Sequence, residues 1–164
     1  MRRSSDHHIY TAQELLLIRA FLQHFLQQAR IHILQGDLGR YVKFELVELP
    51  EARKRAGTPQ AKAEEGATLL AALGPRERVV ALDERGREPT SLELARRVEG
   101  WLQGGRDVAL VLGGADGLAP EVLARADETL ALSRLTLAHR LARLVLAEQL
   151  YRAFTILRGE PYHR

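Results

Sequence analysis

Cysteine is absent from the 164 residues. That excludes a disulfide scaffold, a thiolate zinc site, an iron–sulfur cluster and a cysteine nucleophile. Long apolar runs are absent as well. The cleanest, Val108 to Leu112, falls far short of the roughly 20 residues that a membrane span needs. Near the N-terminus Arg2 and Arg3 precede Leu15 to Ile18, but Arg19 cuts that run and no small-residue cleavage site follows. No signal peptide is therefore read, and a cytoplasmic protein is expected. Lysine is scarce: among 24 basic residues only Lys43, Lys54 and Lys62 are lysines. Arginine is the better fork for phosphate, so the excess suits an anionic partner, although a GC-rich genome would produce the same bias. The net charge is only +3, with 46% hydrophobic and 27% charged residues, ordinary globular usage that argues against wholesale disorder. The length suits one domain with a real core.

After residue 40 strand-like and helix-like segments alternate. Val42 to Leu49 alternates apolar and polar residues, as a half-exposed strand does. A helix is predicted from Gln60 to Leu73, ended by Gly74-Pro75. Arg78 to Leu82 reads as a short buried strand. Thr90-Ser91, with Glu93 in the first turn, opens a helix to about Gln103. Asp107 to Leu112 is the most apolar strand and is expected to be central. Pro120 opens a short helix to about Ala126. Thr129 to Leu132 is a further strand, and Ala138 to Leu157 a long helix with a stripe at Leu141, Leu144, Val145, Glu148/Gln149, Tyr151 and Phe154. This alternation predicts an α/β fold with a parallel sheet and helices on its faces. The first 38 residues break the rhythm and are expected to form a separate helical segment ahead of a domain spanning 39–164. Leu15, Ile18, Leu22, Phe25, Leu26, Ala29 and Ile33 recur at three- and four-residue spacing, which predicts one amphipathic helix from Ala12 to about Leu34. A minor alternative makes Arg30 to Leu34 a strand.

Few residues suggest chemistry. Gly113-Gly114-Ala115-Asp116-Gly117 follows the most buried strand. A glycine turn at the C-terminal end of a parallel strand is where such sheets bind ligands, because glycine lets backbone approach a ligand and adopts positive φ. The turn lacks the Gly-Lys-Ser/Thr of a P-loop and fails G-x-G-x-x-G, since Leu112 stands where the first glycine belongs. Asp83 reads as a turn-starting aspartate or as a ligand's hydrogen-bond acceptor. His139 and Arg143, four apart, share a face near the start of the last helix. Tyr162-His163-Arg164 is either a frayed end or a group that stacks on and pairs with a nucleotide. His7, His8, His24 and His32 show no ligand spacing with an acidic partner, so no metal site is expected. No Ser-His-Asp grouping is found.

Taken together, RVVALDERG (Arg78 to Gly86), GRDVALVLGGADGL (Gly105 to Leu118) and LALSRLTLAHRLARLVLAEQLYRAFTILRGEPYHR (Leu130 to Arg164) resemble the RlmH family of SPOUT-class ribosomal RNA methyltransferases. FELVELPEARK (Phe44 to Lys54) resembles it more weakly. Ala115-Asp116 stands where the family has Pro-Glu, and Ala138 where it has Pro. Residues 1–38 show no counterpart of the family's opening strand, so that strand is expected to be missing. The resemblance implies a SPOUT-like α/β domain with a C-terminal deep trefoil knot. It implies S-adenosyl-L-methionine held by loops at Leu82, at Gly113 and Gly114, and along Leu132, Ser133, Arg134, Leu135, Thr136 and Leu137. It further implies methyl transfer to nitrogen 3 of a pseudouridine in 23S ribosomal RNA of the assembled ribosome, by a homodimer without metal or membrane. His139, Arg143, Tyr162 and His163 are expected near the base as catalytic residues. The alternatives are a cofactor-binding but inactive oligomer, if the first strand is lost, and a SPOUT methyltransferase acting on tRNA.

Overall fold

The computed structural model describes residues 17–23, 36–50, 52, 57–114 and 116–163. The strands are β1 (Leu17–Gln23), β2 (Lys43–Leu49), β3 (Arg78–Arg87), β4 (Val108–Leu112) and β5 (Glu128–Leu130). Between and after them lie helices α1 (Pro59–Ala72), α2 (Ser91–Gln103), α3 (Pro120–Arg125) and α4 (His139–Leu157). The strands form one sheet of order β2-β1-β4-β3-β5, with every neighbouring pair parallel.

Local signals set the helix starts. Thr58 caps α1 by accepting from the Ala61 amide at 3.2 Å, and Pro59 takes the first turn, where its missing N–H costs nothing. Thr90 and Glu93 close a reciprocal capping box on α2, with the Thr90 amide donating to Glu93 at 2.8 Å. Period-2 alternation then divides the core. Val80, Leu82, Val108 and Leu110 face α2 and α4, against Leu94, Val98, Trp101, Leu146, Leu150 and Phe154. Val79, Ala81, Ala109 and Val111 face the other side, against Leu69 of α1 and Val122 of α3. Both faces of β4 are thus covered, which is why it reads as an unbroken apolar run. Asp127 ties β5 to β3. Its carboxylate accepts from the Val79 amide at 2.7 Å and pairs with Arg106 at 3.3 Å and Arg125 at 3.6 Å. Burial would raise its pKa, but the amide and the two guanidiniums prevail and hold it below the usual carboxylate range.

Two expectations are corrected here. Residues 17–23 are not helical: they form β1, which pairs with β2 along its whole length and with β4 on its other edge. The first strand is therefore present, and the sheet is continuous across the expected 38/39 boundary. LIRAFLQ reads both ways, because its apolar residues fall at spacings that fit a helix and do not alternate strictly with polar ones. The rest of the expected 12–34 helix lies outside the described residues. The second correction concerns α4. Phe154 of the expected stripe is buried, but the rest of the buried face is Ala142, Arg143, Leu146, Ala147, Leu150, Ala153 and Thr155. Leu141 is 48% exposed, and Leu144, Val145 and Tyr151 are half-buried.

Candidate functional site

The C-terminal ends of β3 and β4 and the segment after β5 converge on one side of the sheet. They enclose a cavity of about 520 Å³, within the range of small-molecule sites. Residues 82–85 line it from β3, residues 112–114 with Asp116 and Gly117 from β4, and residues 132, 133 and 135–137 from the last loop. Lys62 of α1 and His139 and Ala142 of α4 complete the wall. Leu82, Leu112, Leu132 and Leu137 supply apolar lining. Lys62, Asp83, Glu84, Arg85, Asp116 and His139 supply titratable groups.

Tight backbone contacts shape these loops. A Cβ on Gly113 would lie 2.5 Å from the carbonyl carbon of Gly117 and 2.7 Å from the Leu118 nitrogen. Glycine is thus required there by the turn's own chain rather than by clearance for a ligand. Gly117, at φ +73°, takes the left-handed conformation that closes the turn, and its amide donates to the Gly114 carbonyl at 3.1 Å. Gly86 lies against the Leu130 backbone, where a Cβ would come within 2.6 Å. Beside it the Ala131 amide donates to the Arg87 carbonyl at 2.9 Å. Ser133 accepts from the Leu135 amide at 2.9 Å, a side-chain turn that bends the last loop.

Asp83 is closed off by Arg85, whose Nε and Nη2 donate to it at 2.9 and 3.1 Å and whose amide donates at 3.0 Å. Those bonds hold its carboxyl below the usual range against the opposing effect of burial, with Lys62 adding a smaller attraction. Asp116 accepts from the Gly57 amide at 2.8 Å and so fastens the approach to α1 onto the glycine turn.

Of the cofactor residues expected from sequence, Leu82, Gly113, Gly114, Leu132, Ser133, Leu135, Thr136 and Leu137 line this cavity. Arg134 does not: its side chain is 90% exposed and turns toward Glu88 at 3.9 Å. Of the four residues expected near the base, His139 alone lines the cavity, half-buried. Arg143, one turn further on, is 4% exposed and pairs with Glu48 of β2 at 2.7 Å. Tyr162 lies elsewhere, edge-on to Tyr151 at 4.9 Å, under the Arg152 guanidinium at 4.8 Å and donating to Glu148 at 3.2 Å. Glu148 is nine residues along α4 from His139, about 14 Å at 1.5 Å per residue. His163 follows Tyr162 and is exposed. Tyr41 anchors the same tail: its hydroxyl donates to Glu160 at 2.6 Å and its ring stacks on Phe154 at 5.4 Å. Burial, then the Glu160 carboxylate, pushes the Tyr41 hydroxyl well above its ordinary pKa.

Sequence reasoning missed Lys62, Glu84, Arg85, Asp116 and Gly117 as wall residues. Asp116 and Gly117 stood inside the recognised turn. Lys62 carried no signal, because only the packing of α1 beside the turn brings it there. Among the described residues no cluster of His, Asp or Glu could hold a metal, and no helix is long and apolar enough to cross a membrane.

The family model described as "Predicted SPOUT methyltransferase" matches residues 15–163. A protein of Anaeromyxobacter dehalogenans (strain 2CP-C), named ribosomal RNA large subunit methyltransferase H, is 76% identical over 127 residues, 77% of this chain and 83% of that one. One of the same name from Laribacter hongkongensis (strain HLHK9) is 50% identical over 129 residues, with the same shares covered. Among solved structures, a "Probable Methyltransferase" from Bordetella pertussis Tohama I superposes with a TM-score of 0.56 at 20% identity, covering 87% of this chain and 96% of that one. At that identity the likeness bears on the fold.

Proposed function

The chain belongs to the SPOUT methyltransferase family, and from that premise we propose that it methylates large-subunit ribosomal RNA using S-adenosyl-L-methionine. The proposed target is nitrogen 3 of a pseudouridine in 23S ribosomal RNA within the assembled, cytoplasmic ribosome. One observation carries the cofactor reading: three loops and α4 build a single cavity at the C-terminal edge of a parallel sheet. Its chemistry fits the cofactor. Leucines 82, 112, 132 and 137 offer apolar surface to a flat base, loop backbone offers hydrogen bonds, and charges of both signs suit an amino-acid arm. The relatives' shared name supports the large-subunit target.

When bound, the cofactor supplies a methyl group on a positively charged sulfur; transfer to the imide nitrogen breaks the carbon–sulfur bond, leaves a neutral thioether and requires the imide proton to depart. The chain's own residues hold and orient. Residues 82, 113–114 and 132–137 bind through backbone, with Arg134 contributing its main chain alone since its side chain faces outward. His139 stands at the cavity wall, where an imidazole takes or stabilises a proton near neutral pH. Arg143 acts as a positioning residue that fixes the first turn of α4 through Glu48. Tyr162 is docked too far along α4 to serve its own chain's cavity, and it and the exposed His163 after it serve a second copy's. The working unit is then a homodimer, which the exposed Leu141 and half-buried Leu144 and Val145 on α4 support. The knot of this class is part of the same proposal, and the close crossing of Gly86 over Leu130 supports it.

The test incubates the full chain with radiolabelled S-adenosylmethionine and either ribosomes lacking the methyl group or bulk tRNA. Label in the 23S RNA of ribosomes and none in tRNA is expected. Label in tRNA, or no transfer to either, overturns the proposal.

A further inference from the structure

Lys62 is the cavity's least explained charge. Besides His139, the described residues of the wall include two cations, Arg85 and Lys62. The Arg85 guanidinium is spent, since its Nε and Nη2 both bond Asp83. The Lys62 ammonium has no hydrogen bond or ion pair to another described residue, although its charge reaches Asp83. Its backbone is nonetheless firmly held. Ala61 beside it is buried, and Gly66, one turn on, meets Ala119 so closely that an added Cβ would come within 2.5 Å of it. The Asp116 carboxylate also ties the Gly57 amide, just before α1, to the glycine turn. A rigid helix thus presents a flexible ammonium to the cavity, opposite loops whose own cation is already paired.

We propose that Lys62 binds the carboxylate of the cofactor's amino-acid arm and so selects for cofactors that carry that arm. The inference rests on the cofactor reading above. A carboxylate leaving water needs a charged or multiple hydrogen-bond partner. Among the described lining residues, Lys62 is a cation still available to provide one. A lysine on a four-carbon stem suits this task, being a compact point charge that follows its anion.

Calorimetric titration of the full chain separates the arm from the rest of the cofactor. Two probes are used: S-adenosylmethionine, and 5′-methylthioadenosine, which lacks the arm. In Lys62→Met, which keeps the stem and removes the charge, S-adenosylmethionine should bind about tenfold more weakly, while 5′-methylthioadenosine binds as to the parent. Added salt should weaken S-adenosylmethionine binding in the parent more than in the variant. Equal losses for both probes overturn the assignment. So does no loss for either, the result expected if the lysine serves RNA phosphates instead. A parent that binds neither probe refutes the cofactor reading, and the Lys62 assignment with it.

Discussion

Replacing Gly113 by alanine separates two reasons for a glycine at the end of β4. If the residue only cleared space for the cofactor, a methyl group would leave stability untouched and impair binding. The geometry says otherwise. The new Cβ would stand 2.5 Å from the Gly117 carbonyl carbon, and 2.7 Å from both its oxygen and the Leu118 nitrogen, whereas relaxed carbon contacts begin near 3.5 Å. The turn must therefore open by about 1 Å. It cannot do so freely, because Leu118 and Ala119 are each 2% exposed and pack with Val122 and Leu69 on the α1/α3 face. Overpacking of this kind costs about 1–3 kcal/mol, a factor of roughly 5 to 150 in the folding equilibrium at 1.4 kcal/mol per decade. Urea denaturation of the parent, Gly113→Ala and Gly113→Val should show a loss of that size for alanine and a larger one for valine. Cofactor affinity should fall with the displaced turn. An alanine variant as stable as the parent would refute the argument.

Asp127→Asn should destabilise by about 1–2 kcal/mol at pH 7, since the Val79 amide and the Arg106 and Arg125 guanidiniums lose an ionised partner. The folded carboxyl titrates below its unfolded value of about 4, so its contribution is complete above that value and disappears as pH falls through the folded one. Denaturation at several pH values should show the gap between parent and variant closing in acid; a constant gap would contradict it. Glu48→Gln strands the buried Arg143 charge and should cost about 2–4 kcal/mol, measured by thermal unfolding, while Glu48→Gln with Arg143→Met should recover part of it. Leu141→Asp places a charge on the exposed side of α4 and should convert the proposed dimer into a folded monomer by light scattering. An unchanged mass would exclude that face from the interface.

The sheet after residue 40 was legible because its signals are local. The cap at Thr90, Pro120 at a helix start, and the apolar run of β4 each act within a few residues. The cavity's loops were legible through the motifs they carry. What was hidden depends on distant chain. Residues 17–23 have apolar spacing that satisfies a helix, and only the vacant place between β2 and β4 makes them a strand. The phase of α4 turned on Ala142, Ala147 and Ala153, small residues that let it close on the core beside Leu146 and Leu150 while Leu141 stayed outward. Tyr162 looked like a group for the local site, but Tyr151, Glu148 and Tyr41 draw the tail along the helix instead. Lys62 is one of the chain's three lysines, and nothing in its own neighbourhood separates it from a solvated helical charge.

Nucleoside mass spectrometry of 23S RNA bears most directly on the central claim. Undermodified ribosomes are incubated with the full chain and S-adenosylmethionine, and the extracted 23S RNA is digested to nucleosides. One new species is predicted, a pseudouridine heavier by one methyl group whose fragmentation keeps the methyl on the base. A methyl retained on ribose, a methylated nucleoside other than pseudouridine, or an unchanged digest would contradict it.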